Sequence, residues 1–277
     1  MLERRLLDSI GAAPRLRVLP CKICGSDANL HGVIDFARSC LSNVYPQGLV
    51  GVPVYYRRCR KCDLIFTSDL DSFTSEDWKV AVYNDYYHAE LDKDYEYSRP
   101  ASNARLVRAA LKSFPRSAEG LNGLDYGGGN GFTAKLVDDK RMRFFSYDPY
   151  AFSNAPGSVR GKCDLISAFE VVEHTTDPLS TFADMAEWGA EKFLMIIGTQ
   201  CHDGLVGKDG GLAWNYIAPR NGHVTIYSYA SLRKIAEIFR LDCVRVSRGT
   251  HLLGRGLDLY RARRSILALK FRQRVFG

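Results

Sequence analysis

Between Gly123 and Ile197 the hydrophobic positions follow two rhythms in alternation. The runs Gly123–Tyr126, Arg143–Asp148, Cys163–Phe169 and Lys192–Ile197 are short and largely apolar, which fits buried strands. Phe132–Asp138 and Pro178–Trp188 space their apolar residues three to four apart, which fits helices. Ala101–Phe114 precedes them with Leu106, Val107, Ala110 and Leu111 on one face, and Ser231–Phe239 follows as a further helix. This alternation predicts an α/β fold built on a doubly wound, mostly parallel sheet. The run Leu241–Arg263 predicts two last strands joined around Gly254–Gly256 as an antiparallel hairpin, and Arg263–Phe276 a short basic helix. Between Asp148 and Asp164 the segment Ser153–Ser158 has no helical period, so the second crossover is cut short.

The first strand runs straight into Gly127-Gly-Gly-Asn-Gly131 and a helix start. Glycines there allow positive φ and let the backbone approach a ligand, and the helix start behind them offers unpaired N–H groups to an anion. A dinucleotide site needs Gly-x-Gly-x-x-Gly, and counted from Gly127 the third glycine falls at Phe132, so that spacing fails. What stands is Asp125-x-Gly127-x-Gly129-x-Gly131. An acid about 20 residues on, ending the second strand, binds ribose hydroxyls in such folds, and Asp148 occupies that place. A third element, Phe169-Glu170-Val-Val-Glu173-His174, ends the next long strand, and Asp177-Pro178 opens a helix with proline at a tolerated first position.

These three motifs, in this order, resemble those of class I S-adenosylmethionine-dependent methyltransferases. The resemblance implies a Rossmann-like sheet and a cofactor site made by Asp125, Gly127, Gly129, Gly131, Asp148, Phe169 and Glu170. The acid that contacts adenine after a third strand in many relatives has no counterpart here.

Upstream, Cys21-x-x-Cys24 and Cys59-x-x-Cys62 form two matched pairs. Four thiolates so spaced are read as one structural zinc site with no open position, and the long interval between the pairs predicts an elaborated loop with a hairpin around Pro46–Pro53. Cys40 is expected to be a buried thiol, and Cys163, Cys201 and Cys243 packing residues. The chain thus divides into a zinc-binding domain (1–68), an acidic Tyr-rich connector or lid (69–100) and a methyltransferase domain (101–277). The connector holds nine acids and two lysines between Asp69 and Glu96, interleaved with Trp78, Tyr83, Tyr86, Tyr87, Tyr95 and Tyr97. Lid segments of related enzymes place a tyrosine on the cofactor, a role that falls to Tyr87 by this resemblance.

Composition changes the picture in one respect. The net charge is +7, but residues 245–277 hold nine Lys/Arg and one acid, a local +8, so the rest sums to −1. That tempers any argument for nucleic acid from the overall charge and leaves the basic C-terminal helix three readings, docking on the acidic connector, peripheral contact with an acidic membrane, or nucleic acid. No apolar run approaches a membrane span, and Met1–Asp8 does not read as a secretory signal, so a cytoplasmic protein is expected.

Methyl transfer to a sugar hydroxyl, or to a carbon beside a keto group, needs a base. Two histidines have context for that role: His174, where the fourth-strand motif ends, and His223, which closes the long loop Gly198–Gly222. Each is either the base or a hydrogen-bonded structural residue. Zinc knuckles, Tyr-rich connector and shortened crossover together resemble the sugar C- and O-methyltransferases with an N-terminal zinc-binding domain. Carbon-methylating members carry Glu-His at the base position, whereas Gly222 precedes His223 here. The resemblance implies a nucleotide-linked sugar or glycan as the acceptor. RNA, protein or another metabolite as acceptor, and a non-catalytic scaffold, stand as alternatives.

Overall fold

The computed structural model describes residues 17–91, 96–115, 118–207 and 211–276. The stretch read for a signal and Tyr95 of the connector lie outside these residues. In chain order the elements are β1 (Leu19–Pro20), β2 (Asp27–Asp35), β3 (Pro53–Cys59), β4 (Ile65–Thr67), α1 (Ser75–Ala81), α2 (Ser98–Leu111), β5 (Leu121–Tyr126), α3 (Phe132–Val137), β6 (Met142–Tyr147), β7 (Cys163–Phe169), α4 (Pro178–Trp188), β8 (Gly189–Gly198), β9 (Thr225–Ile226), α5 (Tyr229–Ile238), β10 (Asp242–Ser247), β11 (Thr250–Arg255) and α6 (Leu259–Phe276). They fall into two compact units. The first comprises residues 1–91, 173–178 and 201–234, and the second 92–172, 179–200 and 235–277.

The first unit is an antiparallel sheet ordered β1-β2-β3-β4-β9. Its last strand comes from far along the chain: Ile65 pairs with Ile226 and Phe66 with Thr225. The core packs Tyr56, Ile65, Val224 and Ile226 with Ile217 and Tyr216 of the long loop, and Phe73 and Trp78 of the connector lie against it. The connector is therefore partly helical, as its composition suggests, and packs two half-buried rings against this core. A capping box starts α1: Asp77 N–H donates to Thr74 Oγ1 at 3.2 Å, and Thr74 N–H donates to the Asp77 carboxylate at 2.7 Å.

The second unit is a six-stranded mixed sheet ordered β10-β11-β8-β7-β5-β6. Strands β6, β5, β7 and β8 are parallel, and β11 and β10 run antiparallel beyond β8. Leu124, Leu165, Ile166, Met195, Ile196 and Ile197 are buried in it, as continuous apolar runs in a two-face-covered sheet require. Only a short 3-10 turn, Gly157–Val159, stands between β6 and β7, so the crossover is as short as expected and β6 becomes an edge. Asn154 covers that edge locally: Ser146 N–H donates to Asn154 Oδ1 at 2.8 Å, and Ser146 C=O accepts from Asn154 N–H at 2.9 Å.

Four local expectations are corrected. The helix expected from Ala101 begins at Ser98, with Pro100 in its first turn, where no intrahelical N–H is needed. The final hairpin turns at Arg248-Gly249 rather than Gly254–Gly256, because Gly254 is a ladder residue opposite Leu194 and Asp242. The last helix begins at Leu259, four residues early, and its Leu259, Ala262 and Ile266 pack with α2 and β10 side chains rather than docking on the connector. The interval after Cys24 is a long hairpin of β2 and β3 whose connection spans 36–52. No helix among the described residues is long and apolar enough to cross a membrane.

A Cβ at Gly254 would overlap the Phe193 carbonyl oxygen and lie 3.2 Å from Leu194 Cα. Gly254→Ala is therefore expected to destabilise the protein by about 1–3 kcal/mol in urea unfolding, since backbone cannot move aside like a side chain. An unchanged midpoint would show that β8 and β11 separate freely.

Candidate functional site

The second unit holds the glycine turn. Strand β5 ends at Asp125-Tyr126, and Gly127, Gly129 and Gly131 follow at φ +68°, +55° and +75°. Gly127 N–H donates to Tyr147 C=O at 2.8 Å and Gly129 N–H to the Asp148 carboxylate at 3.0 Å. The turn is thus tied to the end of β6, and Asp148 lies beside it as the sequence requires. Side chains are excluded by the left-handed backbone and by space, since a Cβ at Gly127 would come within 2.5 Å of Val171 and one at Gly131 within 2.5 Å of Phe152.

Asp125 points inward. Its buried carboxylate accepts from Ser167 Oγ at 2.6 Å, which braces the turn against β7. Burial pushes the carboxyl up to about 7, with hydrogen bonds from Ser167 and Thr133 acting in the opposite direction and the charge of Asp148 adding to the rise. Phe169 packs on Gly198, and Glu170 follows at φ +54°, a left-handed conformation uncommon for a residue with a side chain. Its N–H donates to Gly198 C=O at 2.8 Å.

The first unit brings the four cysteines together. Cys21 and Cys62 sulfurs are 3.5 Å apart, as are those of Cys24 and Cys59, and all four lie within 4.8 Å of one another. Main-chain N–H groups of Lys61 and Cys62 donate to Cys59 Sγ at 3.4 Å, and Gly25 turns the first knuckle at φ +68°. The hydrogen bond between Cys21 and Cys62 holds the Cys21 thiol down at about 5. A four-sulfur set with N–H donors behind it fits a tetrahedral zinc.

The same unit gathers His174 and His223, whose ring centroids are 4.9 Å apart. His223 is buried, and its Nδ1 donates to Tyr216 C=O at 2.7 Å, which leaves Nε2 as the basic nitrogen of the neutral ring. Cys40, half-buried rather than fully buried, has its sulfur 3.7 Å from the same Nδ1. His174 Nδ1 and the Tyr83 hydroxyl are hydrogen-bonded at 3.2 Å. Glu173, buried beside them, accepts from the Tyr216 hydroxyl. Glu173, His174 and His223 offer ligand atoms within 4.8 Å of one another. Gly222, just before His223, has φ +83°, and a Cβ there would meet His174 Nδ1 at 3.0 Å and the Tyr83 hydroxyl at 3.2 Å.

Of the sequence-derived residues, then, Asp125, Gly127, Gly129, Gly131 and Asp148 converge in one unit. His174 and His223 converge in the other, where Tyr87 is buried with its ring 5.2 Å from that of Tyr83. Sequence reasoning missed Tyr83 and Tyr216 as the partners of His174 and Glu173, and it missed Arg220. That buried guanidinium donates to Val82 C=O and to Asn84 Oδ1, each at 2.8 Å, and covers the Tyr86 ring, so it fastens the connector to the turn before His223. The only signal for the two tyrosines was their place in an aromatic connector and a long loop. His202 and His251 are buried on backbone carbonyls and are structural.

Residues 95–246, more than half of the chain, match the family model described as a methyltransferase domain. Solved structures that the chain resembles include a Burkholderia thailandensis 1,6-didemethyltoxoflavin-N1-methyltransferase with S-adenosylhomocysteine (13% identity, 69% of this chain and 93% of that one, TM-score 0.44). A SAM-dependent methyltransferase from Aquifex aeolicus is another (16% identity, 56% and 96%, TM-score 0.34). The CurJ carbon methyltransferase is a third (15% identity, TM-score 0.39), with 62% of this chain covered and only 61% of that protein's chain spanned. No curated protein matches the sequence.

The raised Asp125 carboxyl sets a pH dependence. The folded protein holds a proton that the unfolded chain releases above its ordinary value of 3.8, so the contribution is full below about pH 4 and is lost as pH rises through about 7. Against Asp125→Asn, which does not titrate, the wild type should lose on the order of 4 kcal/mol over that window in chemical denaturation. Parallel pH profiles for the two proteins would refute this.

Proposed function

The chain belongs to the methyltransferase-domain family, and we propose that it uses S-adenosylmethionine to methylate a sugar, nucleotide-linked or within a glycan, with help from His223 and His174. The observation that carries this reading is the tethering of His223. With Nδ1 committed to the Tyr216 carbonyl, Nε2 is the nitrogen that can take a proton from an acceptor hydroxyl. His174, held by Tyr83, is its neighbour and orients the acceptor or shares the proton load. Gly222 favours a hydroxyl over a carbon acceptor: a glutamate there would sit in a left-handed conformation and press on His174 and Tyr83.

The cofactor, when bound, supplies a methyl group on a sulfonium centre. The glycine turn is the cradle a Cβ would fill at Gly127 and Gly131, and Asp148 beside Gly129 suits ribose hydroxyls, so these residues fit the group. Phe169 and Glu170 close the strand end next in sequence, and Tyr87 belongs to the connector read as a lid. Asp125 acts on the turn through Ser167. The chain's own task is then to take the acceptor hydroxyl's proton onto histidine and to hold that oxygen in position for transfer. Cys21, Cys24, Cys59 and Cys62 would hold zinc as a structural ion, with all positions filled by protein.

Calorimetric titration should show S-adenosylmethionine binding that His223→Ala leaves unchanged, while kcat on the best nucleotide sugar falls about 10²- to 10⁴-fold. Full turnover by His223→Ala would remove the base assignment, and no turnover on any sugar would remove the acceptor class. Metal analysis should find about one zinc per chain, lost in Cys62→Ser together with the cooperative unfolding of the first unit. Zinc-free wild type with an unchanged melt would overturn the structural ion.

A further inference from the structure

Helix α6 has two apolar faces, and only one is used by the fold. Leu259, Ala262 and Ile266 are buried against the core of the second unit. On the opposite side Tyr260, Leu267, Phe271 and Val275 are 61%, 36%, 66% and 53% exposed. At 3.6 residues per turn these four fall within about 80° of arc, centred away from the buried positions. They form one stripe along the helix rather than scattered surface residues.

Within α6 the charge has a single sign, and the nearest acid, Asp258 just before the helix, lies 3.9 Å from Arg264. Leu259–Phe276 contains Arg261, Arg263, Arg264, Lys270, Arg272 and Arg274 and no acid. Arg264 lies within the stripe and Arg261 and Arg272 flank it, all three exposed. Lys270 and Arg263 turn back to the sheet: Lys270 Nζ donates to Ser247 Oγ and Thr250 Oγ1 at 2.9 and 3.0 Å, and Arg263 Nε to Arg245 C=O at 3.0 Å. Among the described side chains, the cations left facing outward are therefore those beside the apolar stripe. Aromatic and aliphatic side chains bordered by arginines, on a helix too polar to insert across a bilayer, are the features of a helix that lies in the plane of an anionic lipid interface.

We infer that the outer face of α6 is a peripheral membrane-binding surface for anionic phospholipid, with Tyr260, Leu267, Phe271 and Val275 entering the headgroup region and Arg261, Arg264 and Arg272 pairing with lipid phosphates. This goes beyond the acceptor assignment and stands without it. It brings the enzyme to acceptors held at a bilayer surface. The residues involved are remote in sequence from the glycine turn and from His174 and His223, so vesicle binding and cofactor binding can be read separately.

The full zinc-loaded chain would be floated with vesicles of phosphatidylglycerol mixed with phosphatidylcholine, and with phosphatidylcholine alone. The expected result is flotation with the anionic vesicles only, weakened by salt. Phe271→Asp and the pair Arg264→Glu/Arg272→Glu should each weaken it on the order of tenfold while the calorimetric affinity for S-adenosylmethionine stays at the wild-type value. Absence of flotation with anionic vesicles would overturn the proposal, as would equal binding to neutral ones. A wild-type dimer in light scattering that Phe271→Asp dissociates would also overturn it, by showing that a second copy covers the stripe.

Discussion

The histidine cluster depends on one backbone clamp. Val224 N–H donates to Glu173 C=O at 2.9 Å, and Val224 C=O accepts from Thr67 N–H at 3.0 Å. One residue is thereby fixed between the end of β4 and the segment that carries Glu173 and His174. The pairing of Ile226 with Ile65 and the bond from the Tyr56 hydroxyl to His223 C=O at 2.7 Å hold it on both sides. His223 precedes this clamp by one residue, so its ring position follows from the main chain of the antiparallel sheet. The cysteine knuckles belong to the same sheet, with β3 ending at Cys59 and the Ser228 hydroxyl donating to Cys62 C=O at 2.9 Å. Loss of the knuckles would slacken the strand next to which His223 is held.

A similar dependence of a polar site on its hidden supports appears in the glycine turn. Asp125 supports the turn from below, with its carboxylate on Ser167 and the turn's own N–H groups on Tyr147 and Asp148. Desolvation makes that carboxylate costly to ionise, and the hydroxyl partners offset only part of the cost. The same buried residue that shapes the turn therefore also makes the fold lose stability as pH rises toward neutrality.

The parts of this structure legible in the sequence were those with a local signature. Continuous apolar runs marked β5, β7 and β8, and the alternating glycines after Asp125 marked a turn in which Gly127, Gly129 and Gly131 each have positive φ. Two Cys-x-x-Cys pairs marked a sulfur cluster. What escaped was set by long-range pairing. A two-residue strand such as Thr225–Ile226 has no periodicity to detect, and nothing near it announces Ile65 as its partner. Gly254 looked like a turn because glycine is common there, but it is glycine because the neighbouring strand passes too close for a Cβ. The hydroxyls of Tyr83 and Tyr216 could not be assigned to His174 and Glu173 until the fold had joined segments that local patterns treat as separate.

The shortened crossover has a consequence for self-association. Dropping a strand and a helix leaves β6 with one side unpaired, and an unpaired parallel edge invites a strand from another molecule. In this chain the remnant of the crossover occupies that side. Asn154 engages both main-chain groups of Ser146, and Ala155 N–H also donates to Ser146 C=O at 3.1 Å. An incoming strand would find its hydrogen-bonding register already interrupted where the edge approaches the glycine turn. The segment that remains after the lost strand thus acts as a guard against edge-to-edge polymerisation, a duty that a complete sheet would have left to its next strand.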